Sequence, residues 1–573
     1  MRGTAKGRRF RRLTLEWLEQ RLPLDASMLR ITEFLASNTD GIRDAEGDRP
    51  DWIEIFNAGN EAVDLSGMYL TDDDDNLKEW QFPSGVSIPA GGYRLIFASN
   101  KDTVFAGGEI HTDFAMSADG EYLALVDTDG TTIIDQYDPP AQLGDISYGR
   151  AMQTVGSPTT VLTSGAMGKA IVPTSGALGL TWTQLGFTGD ATWPYVGQTG
   201  FGYENNPGAP DSFSSQIKTT LPSSIGTAYI RVPFNLTSLV GIGQLTLRMK
   251  YDDGFVAYIN GVRVTEANAP EVVQWDSQTG AARPDSQALV FSNFDVSSAI
   301  PHLRVGPNVL AIHALNQGSG SDMLMLPELV AQPMALATPE AIGHFETPTP
   351  GYGNGASVAG FTSEPTFDVP HGFYSTPQTV TISTATPGAT IVYTIDGSTP
   401  EVDANLNVIN GVRYQNPLTI SGTTTLRARA FRATYEPSHV EASSYIFVND
   451  VINQSPQGQA PGPNWPTGTI FGQGQVMDYG IDPDIISLYG AQAVKNSLLS
   501  LSTFSITTDL PNLFDPSFGI YANPGNRGDS WERPATVELI HPDGTQGFEV
   551  NAGLRIRGGY SRSGDNPKHA FRF

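Results

Sequence analysis

The sequence predicts an all-β protein built from tandem β-sandwich domains. Three observations indicate this class. The 573 residues include 61 glycines and 40 prolines, which is typical of many short strands joined by turns. Apolar residues recur mostly at every second position, the period of a half-buried strand. Finally, the length is that of roughly four domains.

Charge and cysteine content narrow the function classes. The formal net charge of -26 disfavours nucleic acid as a partner, because phosphate binding needs the opposite sign. The same negative charge favours a protein whose surface is exposed to the extracellular medium or to calcium ions. The absence of cysteine excludes disulfides and thiolate metal sites, and eight singly scattered histidines give no zinc motif. No apolar run reaches the roughly 18 to 20 residues of a membrane span. The sequence indicates no particular oligomeric state.

Residues 1–28 form a separate leader. The first 27 residues carry seven basic and three acidic side chains, unlike the acidic remainder. A basic start is typical of an export signal, but Glu16, Glu19 and Arg21 interrupt the apolar stretch. A short amphipathic helix is the alternative. The stretch LEWLEQRLPLDA resembles atypical leaders of large secreted or surface proteins of environmental bacteria. This resemblance implies a secreted or cell-surface location.

Residues 29–155 show strand and turn patterns throughout. Four phrases occur in an order that resembles a lamin-tail domain, an immunoglobulin-like sandwich; they are Ile31-Thr32-Glu33, Trp52-Ile53-Glu54-Ile55-Phe56-Asn57, Asp64-Leu65-Ser66-Gly67-Met68-Tyr69-Leu70 and Ser147-Tyr148-Gly149-Arg150. The resemblance implies binding or spacing rather than catalysis. Within it, Asp72 to Asp75 could offer calcium ligands, but they lack the alternate spacing of an EF-type loop. A solvated hairpin tip is the favoured interpretation.

Residues 156–335 form a second β region, in which Leu245, Leu247 and Met249 alternate. Asn260-Gly261 predicts a two-residue hairpin turn. The stretch LTLRMKYDDGFVAYINGVRV resembles the galactose-binding-like jelly rolls of glycosidases, some of which hold sugar or calcium near such a corner. We therefore name Asp252 and Asp253 as candidate metal ligands for Ca²⁺; the alternative is that they only shape the turn.

Residues 336–360 read as a Pro/Gly linker that resembles the tail of a lamin-tail module. Residues 361–448 predict a small sandwich through phrases such as ATIVYTIDGSTP. They closely resemble the C-terminal domain of chitobiase-type hexosaminidases, which is not the catalytic domain of those enzymes. Asp396 is accordingly interpreted as a turn residue, because Asp-Gly is turn chemistry. The likeness does not imply glycosidase activity.

A second linker, 449–498, precedes the last region, 499–573. Phrases such as LPNLFDP, GIYANP and GLRIRGGYSR resemble the N-terminal part of CotH-type atypical protein kinases. In that family this lobe covers ATP, which implies nucleotide binding by Ser561, Arg562 and Lys568. Lysine offers a point charge and arginine a two-pronged donor. Where the family usually has a second basic residue, this chain has His569. The alternative is that these cations balance an acidic surface.

The sequence is compatible with three functions. The first is a modular secreted or surface protein whose β modules bind carbohydrate or cell-surface protein ligands and whose end is the start of a CotH-type kinase. The second is an adhesin or carbohydrate-binding scaffold without a nucleotide role. A glycosidase is the third and weakest, since no catalytic acid pair is recognisable. Phosphoryl transfer also needs a metal-binding segment and a base, so we expect the 573 residues alone to transfer no phosphate. ATP and Mg²⁺ would serve only a completed lobe.

Overall fold

The computed structural model confirms the all-β class, with strands far outnumbering short helices. The chain divides into two compact units, Met1–Ser147 and Tyr148–Phe573. The predicted leader lies largely outside the described residues. The structure describes residues 26–105, 107–270, 272–280, 282–318, 322–455, 457–462, 464–467, 477, 479–545, 547–563 and 569–573.

The first unit is a β-sandwich. One sheet contains, in spatial order, the strands Leu29–Leu35, Asp51–Asn57, Tyr93–Ala98, Ile110–His111 and Thr103–Val104. A second contains Ile133–Tyr137, Leu123–Val126, Tyr69–Thr71 and Trp80–Gln81, and a small pair joins Val63–Asp64 to Ser87–Ile88. A short 3₁₀ turn, Ala26–Met28, precedes them.

Hydrogen bonds tie the two sheets of this unit together. The Asp135 carboxylate accepts a hydrogen bond from the Ile31 amide at 2.8 Å, and the Tyr137 hydroxyl donates to the Ile31 carbonyl at 2.8 Å. Trp52 is completely buried beneath this framework. Asp72 to Asp75 connect the paired strands Tyr69–Thr71 and Trp80–Gln81, which confirms the predicted hairpin tip.

The second unit begins with strands that lie beside later ones. Ser147–Arg150 neighbours Ile342–Phe345, and Met152–Thr154 pairs with Met334–Leu336. The Asn354 side-chain amide also donates to the Arg150 carbonyl at 3.0 Å. The region between these strands therefore leaves and returns at one place, as expected for a module inserted in the chain.

That inserted region consists of two large sheets. The first has the order Thr219–Thr220, Phe201–Tyr203, Met323–Gln332, Gln244–Asp252 and Ser292–Asp295, with Thr159–Leu162 also paired to Met323–Gln332. The second has the order Tyr195–Gln198, Met167–Ile171, Thr227–Leu236, Gly306–Leu315, Gly254–Ile259 and Val262–Ala267. Short helical turns connect them: Gly176–Leu178, Thr181–Thr183, Gly189–Thr192, Ser214–Gln216, Asp285–Ala288 and Ser297–His302.

The sequence pattern explains how these sheets pack. Leu245, Leu247 and Met249 are completely buried, and they share a core with Phe255 of the opposing sheet. The predicted turn is confirmed as well, because Asn260 and Gly261 have φ values of 50° and 97° and join paired strands. Two successive positive φ angles are the signature of the turn that Asn-Gly favours.

The small sandwich follows. Its main sheet has the order Gly372–Tyr374, Glu441–Phe447, Thr424–Phe431, Thr390–Thr394 and Val412–Arg413. Shorter pairs are Thr366–Phe367 with Ile382–Ser383, Gln378–Val380 with Leu418–Ile420, and Glu401–Val402 with Val408–Asn410. Asp396 accepts hydrogen bonds from the Ser398 amide at 3.1 Å and hydroxyl at 2.6 Å, which confirms it as a turn residue.

The segment 449–498, which the sequence predicted to be a linker, contains helices. The helices of this segment and of the last region are Val448–Val451, Pro483–Tyr489, Ala491–Leu498 and Leu510–Phe514. Asp482 caps Pro483–Tyr489 by accepting from the Asp484 amide, a start signal that the linker interpretation overlooked. The last sheet has the order Thr503–Thr507, Arg533–Ile540, Glu549–Arg557 and Ala570–Arg572, with turns Asp529–Trp531 and Tyr560–Arg562.

Candidate functional site

The strongest candidate site lies where a central strand of the inserted region ends. Strand Gln244–Asp252 finishes at Asp252 and the next strand starts at Gly254, so the two aspartates occupy the predicted corner. Both side chains are completely buried. Buried carboxylates are costly unless they are paired, hydrogen-bonded or bound to a cation. We call the group Glu204, Asp252, Asp253, Asp285 and Asp322 the acidic corner.

The two adjacent aspartates have different surroundings. Asp253 accepts hydrogen bonds from the Arg283 amide at 2.7 Å and the Gln317 amide at 2.8 Å, so it holds two loops in place. Neither carboxylate oxygen of Asp252 has a hydrogen-bond partner among the described residues. Asp253 is therefore an anchor for the backbone, whereas Asp252 offers two oxygens that the rest of the described chain leaves unused.

Electrostatics at Asp252 are unfavourable to its charged form. Burial, followed by the negative charges of Asp253, Asp322 and Asp285, raises the pKa of Asp252 to about 9. Arg283 acts in the opposite direction, but its guanidinium is also engaged by the Tyr251 carbonyl at 2.8 Å and the Ser292 hydroxyl at 3.2 Å. A bound cation would remove this conflict.

Three more acidic residues come together in this region, and the charges of two of them, Asp285 and Asp322, act on Asp252. Carboxylate oxygens of Glu204, Asp285 and Asp322 lie within 4.8 Å of one another. Glu204 is oriented by hydrogen bonds from the Asn206 amide at 2.8 Å and the Ser212 hydroxyl at 2.9 Å. These residues come from distant parts of the sequence, so no spacing motif could reveal them. The signal that could have suggested the site is the Asp-Asp pair at a strand end.

The chemistry of this donor set suits calcium. Ca²⁺ takes six to eight oxygen ligands and accepts carboxylates readily. Asp252 and the trio of Glu204, Asp285 and Asp322 are the residues that could supply them, with Asp253 fixing the backbone. The metal role predicted for Asp252 and Asp253 remains a prediction, and their position at one buried corner supports it.

The predicted nucleotide residues lie at the other end of the chain. Arg562 donates to the carbonyls of Gly558 at 2.7 Å, Pro524 at 2.8 Å and Asn526 at 2.7 Å, and also to that of Ile556. Its guanidinium thus clamps a loop onto the end of a strand. The Ser561 hydroxyl donates to the Arg557 carbonyl at 2.5 Å. Lys568 lies outside the described residues.

A basic cavity surrounds this clamp. Its volume is about 250 Å³, and its lining includes the side chains of Arg527, Arg555, Arg557, Arg562 and Arg572. Arg555 is ion-paired with Glu532. The sequence predicted Ser561, Arg562 and Lys568 as nucleotide contacts and did not indicate Arg527 or Arg572. Since Arg562 is bonded to carbonyls and Arg555 to Glu532, the remaining arginines Arg527, Arg557 and Arg572 are better placed to bind an anion.

Family models match two parts of the chain. Residues 25–140 match the Lamin Tail Domain, and residues 369–442 match the Chitobiase/beta-hexosaminidase C-terminal domain. These matches confirm two of the resemblances inferred from sequence. They do not include the jelly-roll region or residues 499–573, for which the galactose-binding-like and CotH-type resemblances remain predictions.

Solved structures similar to the chain include bacterial beta-glucuronidases. The enzyme of Lactobacillus rhamnosus is 11% identical, with 58% of this chain and 53% of that chain covered and a TM-score of 0.20. That of Bacteroides uniformis is 11% identical, covering 50% and 32%, with a TM-score of 0.20. This chain thus spans about half or less of their length. The comparison with curated proteins found no match.

Proposed function

We propose that this chain is a modular secreted or cell-surface binding protein whose jelly-roll region binds Ca²⁺ and, through it, a carbohydrate or cell-surface protein ligand. One observation carries the proposal: Asp252 is completely buried with both oxygens unpartnered among the described residues, next to further acids. The match to a chitobiase-type domain supports carbohydrate as the ligand class. None of the helices in the described part of the chain is long and apolar enough to cross a bilayer.

The residues of the acidic corner have different roles in the proposed binding site. Asp252, Glu204, Asp285 and Asp322 would provide the carboxylate oxygens. Asp253 orients the corner by accepting hydrogen bonds from the backbone amides of two loops. The ion, when bound, would supply positive charge for the hydroxyl oxygens of a sugar. The lamin-tail and chitobiase-type modules then serve as further binding or spacing elements.

Calorimetry on the intact, EDTA-treated chain tests this proposal. We expect Ca²⁺ to bind with a stoichiometry of one at the acidic corner, and Asp322→Asn to weaken it more than tenfold because a ligand oxygen loses its charge. Asp276→Asn is the matched control, since Asp276 is an exposed residue of the same region. A glycan array with and without Ca²⁺ then tests the ligand class. Unchanged calcium affinity in Asp322→Asn, or no calcium binding, would overturn the proposal.

We also propose that the last region binds the phosphate groups of a nucleotide such as ATP, as the start of a CotH-type lobe. The lining of one cavity by five arginines, in a chain with a net charge of -26, favours this second function. Mg²⁺ would accompany ATP, and transfer would need the acidic residues of a completed lobe. The adhesin interpretation, in which this region binds no nucleotide, is the alternative.

ATP binding to the chain extended by a completed lobe distinguishes these alternatives. We expect Arg557→Ala to weaken binding about tenfold, because a charge-assisted hydrogen bond is lost. Arg304→Ala, an exposed arginine of the jelly-roll region, serves as the control. Equal affinity in the two variants would favour the scaffold.

A further inference from the structure

A second group of metal-binding side chains lies between the small sandwich and the last sheet. His371 immediately precedes strand Gly372–Tyr374, whereas Glu538 and Glu549 belong to the strands Arg533–Ile540 and Glu549–Arg557. The His371 Nδ1 atom is 3.3 Å from a Glu538 oxygen and 3.6 Å from a Glu549 oxygen. Its Nε2 atom is buried without a hydrogen-bond partner in the described residues, so Nδ1 alone meets the carboxylates.

The two glutamates are placed unfavourably for isolated charges. Glu538 and Glu549 are directly opposite each other in the antiparallel register. Like charges at such positions destabilise a sheet. Glu538 is in addition completely buried. A cation between the two carboxylates would offset both costs, and a single imidazole supplies at most one positive charge.

The distances fit a bridging metal ion. Charge-assisted N–H···O bonds are typically about 2.7 to 2.9 Å long, and the His371 contacts of 3.3 and 3.6 Å are longer. A tetrahedral ion with ligand bonds of about 2.0 to 2.1 Å separates its ligand atoms by about 3.3 Å. The ligand atoms of His371, Glu538 and Glu549 all lie within 4.8 Å of one another.

Neighbouring groups hold these carboxylates in position. Ser444 donates its amide to one Glu538 oxygen at 2.9 Å and its hydroxyl to the other at 2.5 Å. Glu441 lies beside Glu549 and accepts from the Asn551 side-chain amide at 3.0 Å. The two bonds from Ser444 to Glu538 are of the kind that fixes a ligand in a metal site. The Glu549 side chain retains 27% of its exposure, which leaves an entry path for an ion.

We propose that His371, Glu538 and Glu549 bind a divalent transition metal, with Zn²⁺ as the ion that fits best. An imidazole ligand selects for this class over Ca²⁺ and Mg²⁺, which prefer oxygen-only sites. The three ligands come from two β modules, so the ion joins the chitobiase-type sandwich to the last sheet. This site is separate in sequence and ligand type from the acidic corner.

Zinc titration of the intact, EDTA-treated chain tests the assignment, with Co²⁺ as a spectroscopic probe. We expect Zn²⁺ binding that Ca²⁺ does not displace, and a Co²⁺ visible spectrum typical of a tetrahedral site. Glu549→Gln should weaken Zn²⁺ by more than about tenfold, since even outer-sphere changes have effects of that size. The variant should fold, because it removes one of two opposed charges and Glu549 is partly exposed.

Glu401→Gln is the matched control, an exposed strand glutamate of the same sandwich. It should bind Zn²⁺ like the unaltered chain. Thermal melts without metal establish that both variants are folded. Equal zinc affinity in Glu549→Gln and the control, or no zinc binding by the intact chain, would overturn the proposal.

Discussion

Adjacent residues of one type can have opposite roles in this protein. Asp253 is satisfied by two loop amides, whereas Asp252 faces other acids with no hydrogen-bond partner among the described residues. The sequence placed both at a strand corner. It could not distinguish them, because the amides of Arg283 and Gln317 come from loops far along the chain. A buried polar group without a partner is a better indicator of a ligand than an acidic residue alone.

A buried histidine of the jelly roll should make stability depend on pH. Burial lowers the pKa of His313 to about 4, and its ring is hydrogen-bonded to the Thr227 hydroxyl at 2.7 Å. The unfolded chain binds a proton near pH 6.5 and the folded chain does not, so stability falls as the pH drops from about 6.5 to 4. The loss is at most about 3 kcal/mol.

Denaturant unfolding of His313→Gln at pH 7 and pH 4.5 checks this effect. The variant should lose less stability on acidification than the unaltered chain, because its side chain does not titrate. His439→Gln is the control, since the His439 side chain is 77% exposed. An identical pH dependence in all three proteins would contradict the assignment to His313.

Lys568 remains the first lysine that we expect to contact a nucleotide. Its removal should weaken ATP binding by about 1.5 to 3 kcal/mol, the contribution of a hydrogen bond to a charged group. Calorimetry on a chain extended past Phe573 measures the difference between Lys568→Ala and Lys495→Ala, a lysine of helix Ala491–Leu498. If both variants bind ATP equally, the turn at Gly558-Gly559 is structural and the scaffold interpretation replaces the kinase one.

At the scale of elements, strands and turns follow closely from local sequence. The hairpin at Asn260-Gly261 is one example, because its positive φ angles require residues that tolerate them. Helices in the predicted linker were missed because low periodicity and high Pro/Gly content outweighed the Asp482-Pro483 start signal. Such short helices depend on packing more than on propensity, which a single sequence does not show.

This hairpin provides a direct stability test. Gly261 has a φ of 97°, and an added Cβ would lie 2.4 Å from the Gln184 side chain. We expect Gly261→Ala to reduce the free energy of unfolding by about 1 to 2 kcal/mol. Gly165→Ala is the control, as Gly165 has open space around its Cβ position. Equal melting of the two variants would show that the turn tolerates a side chain.

Across the whole molecule, the order of the modules along the chain could be predicted from the sequence. The contacts between residues from distant segments could not. Lamin-tail and chitobiase-type modules are recognised from local phrases, and family models match them. Histidines scattered through the sequence argued against zinc. Folding nevertheless brings His371 next to Glu538 and Glu549, which are more than 160 positions away. The arginine cavity likewise combines separate segments. Sites of this kind follow from sheet register rather than from spacing.

Calcium-dependent unfolding of the intact chain is the most direct test of whether the acidic corner binds Ca²⁺. Scanning calorimetry in EDTA and in Ca²⁺ would compare the unaltered chain with Asp252→Asn. Ca²⁺ at about 100 times its dissociation constant should stabilise the unaltered chain by about 2.7 kcal/mol. Asp252→Asn should be at least as stable in EDTA, because its amide carries no negative charge beside the neighbouring acids, and it should gain nothing from calcium. Equal calcium stabilisation of both proteins, or none in the unaltered chain, would contradict calcium binding at the acidic corner.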